Sequence, residues 1–133
     1  MTGEADLSRL LAGMQPVADP VAYLFCTTRD RGHPLRTSAL MAMEEDEGLT
    51  LILPAVLATP DLTPVFACRR ITLTIHSSLA AVGLIAAVTR ALADDRIGCN
   101  PVAGYFHDHL FVAEADLDRA LSVLTALTGQ VAG

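Results

Sequence analysis

The sequence predicts an α+β protein in which helices pack on antiparallel β-sheets. Segments such as 71–75 alternate apolar and polar residues, which is the period of a half-buried strand. Residues 117–127 instead carry apolar side chains at the three- and four-residue spacing of a core-facing helix. A strand end, a turn, a strand and a helix start follow one another twice, at 45–54 and at 106–114, so two similar halves are expected.

Length and composition fit one compact domain or two very small domains packed together. The chain has 133 residues, of which 52% are hydrophobic and 18% charged, so it can bury a core and is not expected to be disordered. The formal net charge is −6, and the largest basic cluster is the pair Arg69–Arg70. We therefore expect no nucleic-acid partner and no polyanionic ligand.

No segment has the features of a signal peptide or of a membrane span. The first residues are acidic, whereas a signal peptide begins with basic residues and an apolar run. The longest apolar run, 79–88, is about half as long as a bilayer span requires. Three widely spaced cysteines, Cys26, Cys68 and Cys99, are predicted to be buried free thiols. We expect a cytoplasmic protein with no membrane partner.

The N-terminal half is predicted to contain one helix and three strands. Apolar residues at helical spacing form the helix, which Gly13 and Pro16 end: Leu7, Leu10, Leu11 and Met14. The strands are predicted at 21–28, 38–43 and 49–53, with an exposed loop at 29–34, a solvated acidic turn at 44–48 and a short helix or irregular segment from Pro54.

The second half is predicted to have the element order β-α-β-β-α. Its elements are strands at 66–75, 97–105 and 110–113, helices at 79–93 and 117–127, and a turn at His107–Asp108. This order lacks only the last strand of the β-α-β-β-α-β unit of a ferredoxin-like fold. Strand 21–28 is the expected donor of that strand, so the halves are expected to exchange strands.

The predicted helix 79–93 is apolar on nearly all sides, which indicates burial on more than one face. One face consists of large side chains: Val82, Ile85, Val88 and Leu92. Another consists of small residues: Ala80, Gly83, Ala87 and Ala91. The small residues would allow close approach of the other half or of a second copy, so a homo-oligomer is expected.

Four successive features together resemble an ACT domain: a strand at 71–75, a polar turn at His76–Ser78, an early helical glycine at Gly83 and a second strand bearing Asn100. The blocks ITLTIHSSLAAVGL and CNPVAGYFHDHLFV are similar to those of short stand-alone bacterial tandem ACT-like proteins of uncharacterised function. The resemblance implies a ferredoxin-like sandwich of two βαββα halves, 1–64 and 65–133, with exchanged strands. It also implies regulatory binding of a small molecule, in particular an amino acid.

The turn at residues 76–78 is also a candidate site on physical grounds. A turn that enters a helix presents unpaired backbone N–H groups and the positive end of the helix dipole, which suit a carboxylate. The predicted ligand-binding residues are Ser77, Ser78, Leu79, Val82, Gly83 and Asn100. The serines add hydroxyl groups, Gly83 leaves room for a ligand, and Asn100 offers both a donor and an acceptor.

A purely structural interpretation of the same residues is also open. Ser77 or Ser78 would then be a helix N-cap, Gly83 would serve close packing, and Asn100 would hold a turn. The turn departs from many ACT domains, which have an acidic residue and a proline where this chain has His76 and two serines. Pro101 is a second departure, because proline belongs at a strand edge or a bulge. The ligand therefore cannot be transferred from better-known amino-acid sensors.

No catalytic residue, metal ligand or cofactor is predicted. His107 and His109 share one face of an extended strand, but zinc needs three or four ligands. The segment His107–Asp108–His109 suggests acid–base chemistry, but no activated nucleophile accompanies it. We expect a non-catalytic binding protein. The alternatives are a protein-interaction or oligomerisation module with no metabolite, and a small enzyme that uses the histidines and Cys99, the latter as a low-pKa thiol.

Overall fold

The structure, a computed structural model, describes residues 3–132. Within them the helices are α1 (Leu7–Gly13), α2 (Leu84–Asp94) and α3 (Leu117–Ala132), and the strands are β1 (Pro16–Thr28), β2 (Met41–Glu45), β3 (Gly48–Pro54), β4 (Thr63–Leu73), β5 (Asn100–Ala103) and β6 (Asp108–Ala113). The strands form an antiparallel sheet in the order β2-β3-β1-β4-β6-β5. The predicted ferredoxin-like α+β class is confirmed.

Residue contacts divide the chain into two compact units. The first comprises Met1–Asp19 and Arg70–Gly133, and the second comprises Pro20–Arg69. Strands β1 and β4 each contribute residues to both units. The predicted boundary between two sequence halves after residue 64 stays a prediction.

The core of the first unit lies between its helices and one face of β4 and β6. Alternate strand residues point to this face, namely Ile71 and Leu73 of β4 and Leu110 and Val112 of β6. The helices cover it with buried side chains: Leu10 and Leu11 of α1, Leu84, Val88 and Leu92 of α2, and Ala120 and Leu124 of α3. Leu117, Leu121 and Leu127 also pack against this cluster, so the predicted core-facing stripe of the last helix is confirmed.

The second unit has its own smaller core on one face of β1 and β3. Leu49, Leu51 and Leu53 of β3 are fully buried there, together with Cys26 of β1 and Leu62. All three cysteines are free thiols, as expected, and Cys26 and Cys68 are buried as predicted. The predicted burial is wrong for Cys99, which is half-buried.

Helix α2 begins five residues later than predicted. Gly83 has a φ angle of +100° and is the N-cap of the helix, so it is not inside the helix as the apolar run suggested. A left-handed residue interrupts helical hydrogen bonding, so residues 79–82 lie outside the helix. The prediction that Val82 belongs to a buried face of the helix is therefore wrong, since Val82 is 84% exposed. The buried face is formed by Leu84, Val88 and Leu92.

Several predicted strands are shifted or have different lengths. The predicted strand 38–43 is β2 at Met41–Glu45, because Pro34–Ser38 forms a 3-10 helix that the His33 side chain caps. The predicted strand 66–75 is β4 at Thr63–Leu73, and the predicted strand 97–105 is β5 at Asn100–Ala103. The predicted strand 21–28 extends back to Pro16 in β1. The last turn is Gly104–His107 and not His107–Asp108, since the Gly104 N–H donates to the His107 carbonyl group over 2.8 Å and β6 begins at Asp108.

Pro101 lies in β5, which is an edge strand of the sheet and, among the described strands, is hydrogen-bonded to β6 alone. An edge strand tolerates proline because one row of its backbone groups needs no partner strand. The departure noted in the sequence therefore has a structural explanation.

Candidate ligand-binding site

A cavity of about 210 Å³ lies in the first unit where α2 begins. Its lining combines the loop after β4, the first residues of α2, and one residue from each strand of the β5–β6 hairpin. The lining residues are Ser77, Ser78, Leu79, Ala81, Gly83, Leu84, Ile85, Ala86, Ala103 and Asp108. Four of the six predicted ligand-binding residues are thus brought together, namely Ser77, Ser78, Leu79 and Gly83.

The N-terminal segment holds the loop in place. Glu4 forms a parallel bridge with Ser77: its N–H donates to the His76 carbonyl group and its carbonyl group accepts from the Ser78 N–H, each over 2.8 Å. Gly3 lies so close that a Cβ atom there would be 2.6 Å from the Ser78 nitrogen. Only glycine fits this position, which also has a φ angle of +94°.

The two serines shape the loop and do not cap the helix. Both are buried, with exposed fractions of 8% for Ser77 and 7% for Ser78. The Ser78 hydroxyl group accepts from the Ala80 N–H over 3.1 Å, and the Ser78 carbonyl group accepts from the Ala81 N–H over 2.9 Å. The interpretation of either serine as the N-cap of α2 is wrong, because Gly83 occupies that position.

The N-terminus of α2 faces the cavity without a side-chain cap. The first intrahelical bond runs from the Ala87 N–H to the Gly83 carbonyl group, over 2.9 Å. The N–H groups of Leu84, Ile85 and Ala86 precede it and have no acceptor within the helix. Because these three residues line the cavity, their N–H groups and the helix dipole favour an anion there.

Asp108 supplies a carboxyl group to the same cavity. It is the first residue of β6 and lies opposite Ala103 of β5. Burial raises the pKa of the Asp108 carboxyl group, while a hydrogen bond from the Ser77 hydroxyl group and the nearby His107 act in the opposite direction. The cavity therefore joins a helix N-terminus to a half-buried acid.

Asp108 is the residue that sequence reasoning missed. The sequence pattern assigns Asp108 to a turn. The alternation of β6 could have identified it, since Asp108, Leu110 and Val112 occupy alternate positions and the two apolar residues face the core.

Asn100 and Val82 do not line the cavity. Asn100 is an exposed residue of β5 that pairs with Phe111, whereas Ala103 pairs with Asp108. Residues three apart on a strand point to opposite faces, so Asn100 and Ala103 cannot both face the cavity. Val82 precedes Gly83 and is exposed to solvent.

An aromatic cluster adjoins the loop. The ring of His76 lies 5.4 Å from that of Phe106 and 6.2 Å from that of Tyr105, between ring centroids. The two aromatic residues are exposed, at 60% for Tyr105 and 59% for Phe106, and belong to the turn between β5 and β6. The cluster joins that turn to the loop that lines the cavity.

His107 and His109 lie near one another, with ring centroids 6.5 Å apart. His109 Nδ1 forms a hydrogen bond with the Thr72 hydroxyl group over 3.0 Å. Burial lowers the pKa of His109, and Arg70 and His107 lower it further. Within residues 3–132, no group of three or more His, Cys, Asp or Glu residues is arranged to hold a metal ion.

Cys99 does not have the low-pKa thiol that the enzyme alternative needs. It is half-buried, and burial raises its pKa to about 11. At neutral pH the group is therefore a protonated thiol and a weak nucleophile.

None of the helices in the described part of the chain is both long enough and apolar enough to cross a membrane.

Comparison with known proteins identifies the family. The ACT domain family matches the chain over residues 2–69 and again over residues 65–126. The chain therefore belongs to the ACT domain family and carries two ACT-type domains in tandem, which confirms the resemblance noted in the sequence. A search of curated proteins found no match.

Solved structures show the same fold. A Vibrio cholerae protein described as having unknown function and as a possible transport protein is 38% identical, with a TM-score of 0.82 over 92% of this chain and 95% of that one. The regulatory subunit of aspartate kinase from Thermus flavus is 8% identical, with a TM-score of 0.61 over 85% and 96% of the two chains. A structure of aspartokinase alpha and beta subunits is 11% identical, with a TM-score of 0.65 over 86% and 97%.

Proposed function

We propose that this ACT protein is a non-catalytic regulatory protein that binds an amino acid in the cavity at the start of α2. The observation that carries the proposal is the uncapped N-terminus of α2 beside the buried Ser77–Ser78 loop. A ligand carboxylate would accept hydrogen bonds from the N–H groups of Leu84, Ile85 and Ala86. The positive end of the helix dipole would add to that attraction.

The size of the cavity supports a metabolite of amino-acid size. Its volume of about 210 Å³ is below the range of roughly 300–1,000 Å³ that is typical of pockets for drug-sized molecules. Its lining is mostly apolar with a few polar groups, as expected of a small-molecule site.

Two further observations support regulation without catalysis. The Cys99 thiol is protonated at neutral pH, because burial raises its pKa to about 11. The regulatory subunit of an aspartate kinase has the same fold, so a regulatory role for this chain is consistent with its architecture. We also propose a cytoplasmic location, since the three cysteines are free thiols.

Calorimetry against the twenty standard amino acids at neutral pH tests the proposal. We expect at least one of them to bind, and Ala86→Leu to abolish the signal by filling the cavity. Ala126→Leu, an exposed substitution on α3, is the matched control and should leave binding unchanged. Absence of binding across the panel would contradict the proposal, as would equal affinity in Ala86→Leu.

A second candidate function is an oligomerisation module with no bound metabolite. Exposed apolar side chains near the cavity favour it, namely Leu79, Val82, Tyr105 and Phe106. Light scattering separates the two functions. The module predicts a homo-oligomer whose mass is unaffected by amino acids and falls in Val82→Asp. We propose a homo-oligomer in either case, so the discriminating result is the effect of the ligand.

A further inference from the structure

We propose that His33 is a pH-sensitive latch in the second unit. When its ring takes up a second proton, the ring stays bound to Asp61 and releases the backbone N–H group at the start of the 3-10 helix Pro34–Ser38. This inference concerns Pro20–Arg69 alone and does not depend on amino-acid binding at the start of α2.

His33 is buried, although the sequence predicts an exposed loop at 29–34. Its side chain is 6% exposed, and both of its ring nitrogens have partners. Nδ1 accepts from the Leu35 N–H group over 3.1 Å, and Nε2 lies 2.7 Å from a carboxylate oxygen of Asp61. Because Nδ1 is an acceptor, the ring carries its proton on Nε2 and is neutral.

The Nδ1 contact completes the hydrogen bonding at the start of the 3-10 helix. The first helical residue is Pro34, which has no N–H group. The Leu35 N–H group goes to His33 Nδ1, and the Arg36 N–H group goes to the His33 carbonyl group over 3.0 Å. A protonated Nδ1 is a donor, so the Leu35 N–H group would then face a second donor and lose its acceptor.

Asp61 keeps the charged ring in place. Hydrogen bonds from Thr59 and then from His33 lower the pKa of the Asp61 carboxyl group, so this group is ionised at mildly acidic pH. A second proton on the ring converts the contact with Asp61 into an ion pair, which is a stronger hydrogen bond than a neutral one. Protonation therefore strengthens one contact of the ring and removes the other.

Among the described residues, Asp61 is the one charged partner of the His33 ring. Asp30 and Arg36 are close in sequence, but their side chains bind elsewhere. The Asp30 carboxylate accepts from a backbone N–H group of its own loop, and the Arg36 guanidinium lies 3.5 Å from the Glu44 carboxylate. The response to pH is therefore assigned to His33 and Asp61.

The latch joins two connections that both contribute to the core of the second unit. Leu35, between β1 and β2, packs against this core, and Leu62, between β3 and β4, is buried within it. The 3-10 helix has five residues, and its last backbone bond, from the Ala39 N–H to the Arg36 carbonyl group, is 3.4 Å long. So short a helix has little stability of its own, and loss of its cap should release the segment that leads into the edge strand β2.

Nuclear magnetic resonance of the isotope-labelled chain between about pH 8 and pH 5 tests the inference without any variant. The ring nitrogen signals of His33 distinguish the neutral form from the charged form, and hydrogen exchange measures the protection of the Leu35 amide. We expect this protection to fall at least roughly tenfold as the ring becomes charged, while Leu51 in β3 stays protected. A ring that stays neutral over this range would overturn the inference, as would a charged ring with full protection of Leu35.

His33→Asn and Asp61→Asn provide the second test, with His76→Gln in the first unit as the matched control. Asparagine is a good N-cap that does not titrate, so the protection of the Leu35 amide in His33→Asn should not change over this pH range. In Asp61→Asn the ring should become charged at a lower pH, because the charged form loses its ionic partner. His76→Gln should behave as the wild type does.

A loss of Leu35 protection at low pH in His33→Asn would overturn the inference, as would an unchanged midpoint of the ring titration in Asp61→Asn. Amino-acid binding at the start of α2 is a separate measurement in the first unit. The latch and the proposed function can therefore fail independently of one another.

Discussion

The Ser77 hydroxyl group donates a hydrogen bond to the carboxyl group of Asp108. This bond joins the loop after β4 to the first residue of β6, two segments about thirty residues apart in the chain. Both residues line the cavity where α2 begins. The candidate site therefore depends on the antiparallel pairing of β5 and β6 as much as on the loop that resembles an ACT motif.

The raised pKa of Asp108 predicts a pH dependence of stability. In the unfolded chain the carboxyl group has its ordinary pKa near 3.8, and in the folded protein burial raises it. The unfolding free energy contributed by this group therefore falls as the pH rises from 3.8 through the folded-state pKa, and is constant above it. Asp108→Asn should lack that decrease when urea unfolding is measured across this range.

The groups that act on Asp108 are Ser77 and His107, so His107→Gln is the appropriate companion variant. Its unfolding curve should retain the decrease. An identical pH profile for wild type and Asp108→Asn would show that burial does not raise the pKa of this carboxyl group.

Gly83 is predicted to be required for the start of α2. With a φ angle of +100°, it has a conformation that costs an L-residue about 1–2 kcal/mol, and an added Cβ atom would lie 3.2 Å from Leu7. Gly83→Ala should lower the unfolding free energy by about that amount in urea titrations.

Gly129 of α3 supplies the control, because it is helical and a Cβ atom added there would meet no neighbouring atom within 4 Å. Gly129→Ala should raise the unfolding free energy by about 1 kcal/mol. Equal effects of the two substitutions would contradict the assignment of Gly83 as a left-handed N-cap.

Cys99 is predicted to react slowly with iodoacetamide at neutral pH. A rise in pKa from 9.0 to about 11 reduces the thiolate fraction about a hundredfold, and the greater nucleophilicity of a more basic thiolate offsets part of this. We expect alkylation about tenfold slower in the folded than in the urea-unfolded protein, measured by mass spectrometry of the peptide containing Cys99. Faster alkylation in the folded protein would instead support the enzyme alternative.

The fold could largely be predicted from the sequence, because period-2 strands and the stripe of α3 are local patterns. Leu117 and Leu124 show this, since their spacing alone indicates a core-facing helix. The start of α2 could not be predicted, because the apolar run 79–88 has helical composition and only the left-handed conformation of Gly83 interrupts it. A Cβ atom at this position would lie 3.2 Å from Leu7, a residue that is distant in sequence, so the local pattern does not show why glycine is needed there.

The candidate site was predictable in place and only partly in content. Ser77 and Ser78 lie in the short polar segment between a strand and a helix, so their position could be inferred from the local order of elements. Asn100 has suitable chemistry for a ligand contact, yet the pleat of β5 turns it to the face opposite Ala103. The register of the β5–β6 hairpin places Asp108 in the site. The sequence predicts the turn at His107–Asp108 and not at Gly104–His107, so Asp108 was not identified as a strand residue.

The most direct test of amino-acid binding at the start of α2 is a nuclear magnetic resonance titration of the isotope-labelled chain with each standard amino acid in turn. We expect at least one amino acid to shift the backbone amide signals of Leu84, Ile85 and Ala86 in a saturable manner. The amides of Asp46 and Glu47 at the hairpin tip should remain unchanged. If no amino acid shifts the three α2 amides, or if saturable shifts occur only elsewhere, the cavity at the start of α2 is not an amino-acid site.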